Sequence, residues 1–140
     1  PICTTIQDID NKNYYPLWKD PKNPLHKLQW AHFDICSDFI SQLDHVKVTT
    51  DSAKRFAGIA RAIYDKSVVS CQFWWANKEG NRWSPNIINK GLILQSEFLL
   101  NAYKAISFSS CSKKTKDNFY NKVLAAREIA NNIHDLLLLK

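Results

Sequence analysis

The chain has 140 residues, of which 45% are hydrophobic and 23% charged, as in ordinary globular domains, and this excludes an intrinsically disordered chain. Its three glycines and five prolines are too few for an all-β fold, which needs a turn signal roughly every 8–12 residues. Nineteen Lys and Arg residues against 13 Asp and Glu give a net charge of +6, which favours acidic partner surfaces or polyanions. At this length we expect one globular domain over residues 1–140.

The cysteine, histidine and glycine patterns argue against bound metals and nucleotides. The four cysteines are far apart and include no C-x-x-C pair, so we expect free thiols and no metal site. His26 and His32 have no accompanying carboxylates at metal-ligand spacing, and no glycine-rich phosphate loop occurs, so we expect no cofactor. The N-terminus lacks a signal-peptide pattern and no apolar run approaches about 18 residues, which predicts a cytoplasmic protein that does not enter membranes.

The N-terminal arm, residues 1–23, is rich in Asn, Asp, Lys and Pro, which is typical of an extended segment. Aromatic and apolar side chains lie in its middle, at Tyr14, Tyr15, Leu17 and Trp18. We expect these side chains to pack the arm onto the rest of the domain, because they would otherwise be exposed to water.

Four stretches after the arm have apolar residues spaced three or four apart, which predicts four amphipathic helices. Their expected N-caps are Asn23 before Pro24, Thr50 or Asp51, and Ser84 before Pro85. The last stretch, residues 115–140, has the most regular spacing. In the second stretch, Gly58 lies between Ala57 and Ala60, and these small residues predict a close approach of two helices there.

Residues 69–84 depart from helical spacing. Apolar and polar side chains alternate up to Trp75, and the segment is rich in β-branched and aromatic residues, which is typical of a strand. The following Asn-Lys-Glu-Gly sequence suits a type I turn closed by glycine and predicts a β-hairpin. The expected cross-strand neighbours are Trp74 with Trp83 and Trp75 with Arg82.

The same segment also fits a helix that continues from Ser67 to Ala76 and is followed by a plain loop. Under either alternative, the four long helices and their short connections predict the fold class. We expect a mainly α protein, a four- to five-helix antiparallel bundle with a short β-hairpin around residues 69–84.

Aromatic and cationic side chains cluster around the expected turn and form the first candidate site. Its residues are Trp74, Trp75, Lys78, Arg82 and Trp83. Trp and Arg dominate protein–protein hot spots, and a base or sugar could also stack on exposed indoles. The alternative is that these rings complete the core of a small domain.

The absence of familiar enzyme motifs favours a non-catalytic protein-binding module over an enzyme. We expect it to block a partner protein, which could carry an acidic surface, by occupying that partner's functional site. Small size and a basic, Lys- and Asn-rich composition are typical of toxin-neutralising immunity proteins, inhibitors and phage- or host-conflict factors. This expectation rests on size and composition.

Arg127 and His134 form the second candidate site. They are seven residues apart in the last predicted helix, so they lie on one face about 10 Å apart along its axis. An Arg that holds phosphate and a His that moves a proton suit metal-independent RNA cleavage. This Arg-then-His spacing resembles the motif of the HEPN ribonucleases, and the resemblance implies an RNA-binding or RNA-cleaving helical bundle that dimerises through this helix. The alternative is a solvated helix flank.

Overall fold

The structure of the protein, a computed structural model, describes residues 19–46, 48–68, 71–78 and 82–139. The predicted packing of the arm through Tyr14, Tyr15, Leu17 and Trp18 lies outside the described residues.

Within the described ranges the chain forms five helices and one short hairpin. In chain order they are α1 (Pro24–Leu43), α2 (Asp51–Ser67), α3 (Cys71–Trp74), β1 (Ala76–Asn77), β2 (Arg82–Trp83), α4 (Pro85–Ser107) and α5 (Lys113–Leu138). The predicted mainly α fold with a short antiparallel hairpin is confirmed.

Side-chain caps determine where the four long helices begin. The N-caps are Asn23 for α1, Thr50 for α2, Ser84 for α4 and Ser112 for α5. The predicted caps of α1 and α4 are therefore confirmed, and Thr50 is the correct one of the two candidates before α2. Helix α5 begins two residues before the predicted start because the Ser112 hydroxyl accepts a hydrogen bond from the Thr115 amide at 3.2 Å.

Helix α4 is the central element, since it packs against α1, α2, α3 and α5, and most extensively against α2. The larger apolar core lies among the four long helices and includes Phe39, Phe98, Ile106 and Phe119. A smaller cluster lies beside the hairpin and joins Leu25, Ala76, Ile88, Leu92 and Ile133. The hairpin is therefore built onto the end of the helical body through its own set of apolar contacts.

The close helix–helix approach predicted around Gly58 is made by Ala60, which is fully buried in the core, and not by Gly58 itself, whereas Gly91 lies in a close contact. A Cβ atom added at Gly58 would meet nothing within 4 Å. One added at Gly91 would lie 2.3 Å from Oε1 of Gln72 and 2.8 Å from its Cβ. Gly91 thus allows α3 to lie against α4 with the Gln72 side chain directly over the backbone of α4.

The strand predicted before the turn is wrong in extent and in register. Residues 71–74 form the helical turn α3, and the paired residues are Ala76 with Trp83 and Asn77 with Arg82. The single helix from Ser67 to Ala76 is also wrong, because α2 ends at Ser67 and Ala76 lies in β1. Contacts with α1 outweigh the strand propensity of this segment.

Those contacts begin at the backbone of α3. The Phe73 carbonyl lies 2.7 Å from Nε2 of His26, and the Gln72 carbonyl accepts a hydrogen bond from the Gln29 side chain at 2.8 Å. The Phe73 ring stacks on Trp30 with 4.6 Å between the ring centroids. The segment thus satisfies its carbonyls with side chains of α1 instead of a partner strand.

Candidate functional site

The hairpin region presents the five residues of the first candidate site in unequal environments. Trp75 is 41% exposed, and Lys78 and Arg82 are exposed. Trp74 and Trp83 are half-buried, and the Trp74 indole N–H is shut off from solvent with no partner among the described residues. Trp74 and Trp83 therefore belong partly to the body of the protein, and Trp75, Lys78 and Arg82 to its surface.

In the observed structure, Lys78 and Arg82 each lie over the ring of a different tryptophan. Lys78 Nζ lies 5.9 Å from the centroid of the Trp83 ring, and Arg82 Cζ lies 5.9 Å from that of Trp74. The expected contact between Arg82 and Trp75 is replaced by the one with Trp74, because the strand pairing is displaced by two residues from the prediction. Each pair has the geometry of a cation–π contact.

A cavity of about 340 Å³ opens between the hairpin, the start of α1 and the end of α5. We call it the hairpin cavity. Its apolar wall is formed mainly by Trp83, Leu136 and Leu139, and its charged side chains belong to Asp20, Lys22 and Lys78. Leu139 is 64% exposed, so the apolar wall continues to the surface of the protein.

Hydrogen bonds fix the hairpin beside this cavity. The Asn23 side chain accepts from the amides of Leu25 and His26 as the cap of α1, and its Nδ2 donates to the Ala76 carbonyl at 2.9 Å. The Ser84 amide donates to the Trp75 carbonyl at 2.9 Å and extends the pairing by one bond. These bonds hold the hairpin and the start of α1 together at one side of the hairpin cavity.

Arg127 and His134, the second candidate site, are both exposed on α5, but the structure places them in different cavities. His134 lines a shallow groove with α4, where its Nε2 lies 3.2 Å from Oδ1 of Asn89. Arg127 lines a neighbouring cavity of about 180 Å³ that also contains His32. The two cavities share Ser96 and Leu100 of α4. The histidine that the fold brings to the same cavity as Arg127 is therefore His32.

His32 belongs to a buried polar chain that runs from α1 through α4 and α3 to the end of α2. The amide nitrogen of Gln72 donates to the Ser67 carbonyl at 2.9 Å, and the amide nitrogen of Gln95 donates to Oε1 of Gln72 at 2.9 Å. Oε1 of Gln95 then lies 2.6 Å from Nδ1 of His32. Burial lowers the pKa of His32, and the bond to Gln95 opposes that shift only in part.

The sequence contains one signal for this buried polar chain. His32 and Gln95 occupy positions within the apolar stripes of α1 and α4, and both are 1% exposed. A polar side chain in an apolar stripe must find a buried partner, because an unpaired buried polar group is costly. The identity of that partner depends on the tertiary packing.

The remaining polar residues bear on metal binding and on cysteine reactivity. Among the described residues, no three His, Cys, Asp or Glu side chains are grouped so that they could hold a metal ion. The described cysteines are free: Cys36 is buried, Cys71 exposed and Cys111 half-buried. Burial raises the pKa of the Cys36 thiol, which makes it a poor nucleophile. None of the described helices is both long and apolar enough to span a bilayer.

Comparison with known proteins gives no relative for this chain. No protein-family model matches it, and neither a curated protein nor a solved structure matches it.

Proposed function

We propose that the protein is a non-catalytic binding module that recognises another protein through the hairpin cavity and the exposed residues beside it. One observation carries the proposal: an open cavity of about 340 Å³ has an indole wall and cationic side chains at its rim. Tryptophan is one of the residues that dominate protein–protein hot spots, and hot-spot residues cluster in well-packed pockets. The nearby Trp75, at 41% exposure, supplies further apolar surface.

The chemistry of the cavity favours an acidic partner segment with one apolar anchor residue. Lys22 and Lys78 exceed the single carboxylate of Asp20 in charge, and the whole chain carries +6. An acidic partner would be attracted by this charge, and its anchor would be buried against Trp83, Leu136 and Leu139. Binding would then combine electrostatic steering with apolar burial.

At a finer level, we propose an inhibitory role, as in toxin-neutralising immunity proteins or phage- and host-conflict factors. A cavity rim held by hydrogen bonds to Asn23 and Ser84 suits steric blocking, because little ordering is needed on binding. The free thiols of Cys36, Cys71 and Cys111 are compatible with the reducing cytoplasm as its location.

The test is capture of partners from an extract of the cells that produce the protein, with and without nuclease treatment. The exposed Lys78 and Leu139 can be changed with little effect on folding. We expect Lys78→Glu and Leu139→Ala each to weaken binding of the captured protein by at least about tenfold, because the first reverses a rim charge and the second removes part of the apolar wall.

Lys54→Glu is the matched control, since Lys54 is an exposed lysine of α2 that does not line the hairpin cavity. It should leave binding unchanged. A captured protein that binds all three variants equally would contradict the proposal.

RNA recognition through Arg127 and His134 is the second candidate function. It is favoured by the exposure of both side chains on the same helix. Recovery of RNA in place of a nuclease-resistant protein partner would support it. Cleavage of single-stranded RNA that disappears in His134→Ala would then assign the activity to this helix.

A further inference from the structure

The cavity that contains His32 and Arg127 lies among α1, α4 and α5, away from the hairpin. Its volume is about 180 Å³, the liquid volume of about six water molecules. We call it the His32 cavity. Its apolar lining residues are Leu99, Leu100, Val123, Ala126 and Ala130. Its polar groups come from the side chains of His32, Ser96 and Arg127. A lining with so small a polar share suits a small and mainly apolar ligand.

The proton of His32 can be placed by following the buried polar chain from its fixed end. The Ser67 carbonyl can only accept, so the Gln72 group facing it is the NH₂ and the Gln72 oxygen faces Gln95. That oxygen in turn receives the Gln95 NH₂, which leaves the Gln95 oxygen facing His32. Nδ1 of His32 therefore carries the hydrogen, and Nε2 has a free lone pair.

Nε2 of His32 has no hydrogen-bond partner among the described residues, although the side chain is 99% buried. The imidazole of His32 lines the His32 cavity. A buried acceptor without a partner costs free energy, so an acceptor kept at a cavity wall is a place for a ligand's hydrogen-bond donor.

His26 shows that a buried histidine in this fold need not leave a nitrogen free. Its Nε2 donates to the Phe73 carbonyl at 2.7 Å, and its Nδ1 accepts from the Asp20 amide at 3.1 Å. Both nitrogens are thus used in joining segments of the chain. The free Nε2 of His32 is a property of the His32 cavity and not a general consequence of burying histidine in α1.

Arg127 supplies the cationic end of the same cavity. Its side chain is exposed on α5, so the guanidinium can reach both solvent and a ligand at the cavity opening. A guanidinium binds a carboxylate through two parallel hydrogen bonds and holds it in a fixed orientation. The His32 cavity therefore offers an acceptor, apolar walls and an anion-binding group.

We propose that the His32 cavity binds a small aromatic carboxylic acid that carries a hydroxyl or N–H group. The ring lies between the apolar walls, the hydroxyl or N–H donates to Nε2 of His32, and the carboxylate pairs with Arg127. This site is separate from the hairpin cavity, so it holds or fails independently of the protein-binding function proposed above.

The test is titration of isotope-labelled protein with 4-hydroxyphenylacetate at neutral pH, followed by NMR. We expect saturable shifts at residues lining the His32 cavity, including the imidazole nitrogens of His32. Arg127→Ala should weaken binding about tenfold, because it removes a charge-assisted pair. Arg55→Ala removes an exposed arginine of α2 that does not line this cavity, and it should leave binding unchanged.

Two analogues test each end of the ligand without altering the protein. Phenylacetate lacks the hydroxyl and should bind roughly fivefold more weakly, with no effect of binding on the Nε2 signal. The neutral 4-hydroxyphenylacetamide should bind wild type and Arg127→Ala with equal affinity, because it cannot form the ion pair. An absence of saturable shifts, or equal loss of affinity in Arg127→Ala and Arg55→Ala, would overturn the proposal.

Discussion

Gly58 and Gly91 both lie in the interior of long helices, and their surroundings give them opposite effects on stability. The backbone of Gly58 is exposed and has open space where a Cβ would lie, whereas Gly91 is buried directly under Gln72. Glycine in a helix interior has a conformational cost that alanine would remove. At Gly91 the cost remains, but the missing side chain allows the contact between α3 and α4.

We expect Gly58→Ala to raise the free energy of unfolding by about 0.5–1 kcal/mol, because alanine restricts the unfolded chain and meets no atom in the folded one. Gly91→Ala should lower it by about 1–3 kcal/mol, because the new methyl would lie 2.8 Å from Cβ of Gln72 as well as against the tip of that side chain. Urea unfolding of both variants measures the difference. Equal effects of the two substitutions would contradict this account.

The Asn23 side chain links helix α1 to the hairpin, which makes their stabilities interdependent. Asn23 caps α1 with its oxygen and bonds to Ala76 of β1 with its nitrogen. A hairpin with two-residue strands is not stable by itself, so it depends on such attachments to the helices. Ser112, the N-cap of α5, is exposed.

We expect Asn23→Ala to lower the free energy of unfolding by about 2 kcal/mol and Ser112→Ala by about 1 kcal/mol. The larger loss at Asn23 arises because the substitution removes the cap and also leaves the Ala76 carbonyl without this donor. Urea unfolding curves give both values. If Ser112→Ala were as destabilising as Asn23→Ala, the bond to the hairpin would contribute nothing to stability.

Two of the histidines that the structure describes, His26 and His32, are buried, and burial links their protonation to folding. Burial lowers the pKa of His26 and of His32 from the ordinary value of 6.5, in spite of hydrogen bonds that oppose the shift. Below pH 6.5 the unfolded chain therefore binds protons that the folded chain does not. The folded state loses stability as the pH falls from 6.5 towards the lower pKa values of the folded state.

We expect the free energy of unfolding to fall as the pH drops below about 6.5, by up to about 1.4 kcal/mol per pH unit for each histidine, because burial lowers both folded-state pKa values. His32→Leu should reduce this slope, whatever its effect on stability at neutral pH, because one of the two buried histidines is gone. Urea unfolding at several pH values tests this. An unchanged slope in His32→Leu would show that His32 is not proton-linked to folding.

The sequence by itself determined the parts of this protein that depend on neighbours within a few residues. The apolar spacing indicated all four long helices, and Asn23 and Ser84 could be identified as caps because a cap bonds to amides two or three residues ahead. The Asn-Lys-Glu-Gly turn likewise indicated a hairpin in the right place. These are local interactions, so local sequence is sufficient to predict them.

Only the tertiary structure decided the hairpin register, the helical turn α3 and the composition of the cavities. Carbonyls of residues 71–74 bind side chains of α1, which lies more than 40 positions away in sequence, and this contact decides their conformation. Arg127 shares a cavity with His32 and not with His134 because three helices converge there. Buried polar groups must be paired, and the packing of distant helices determines which partners are within their reach.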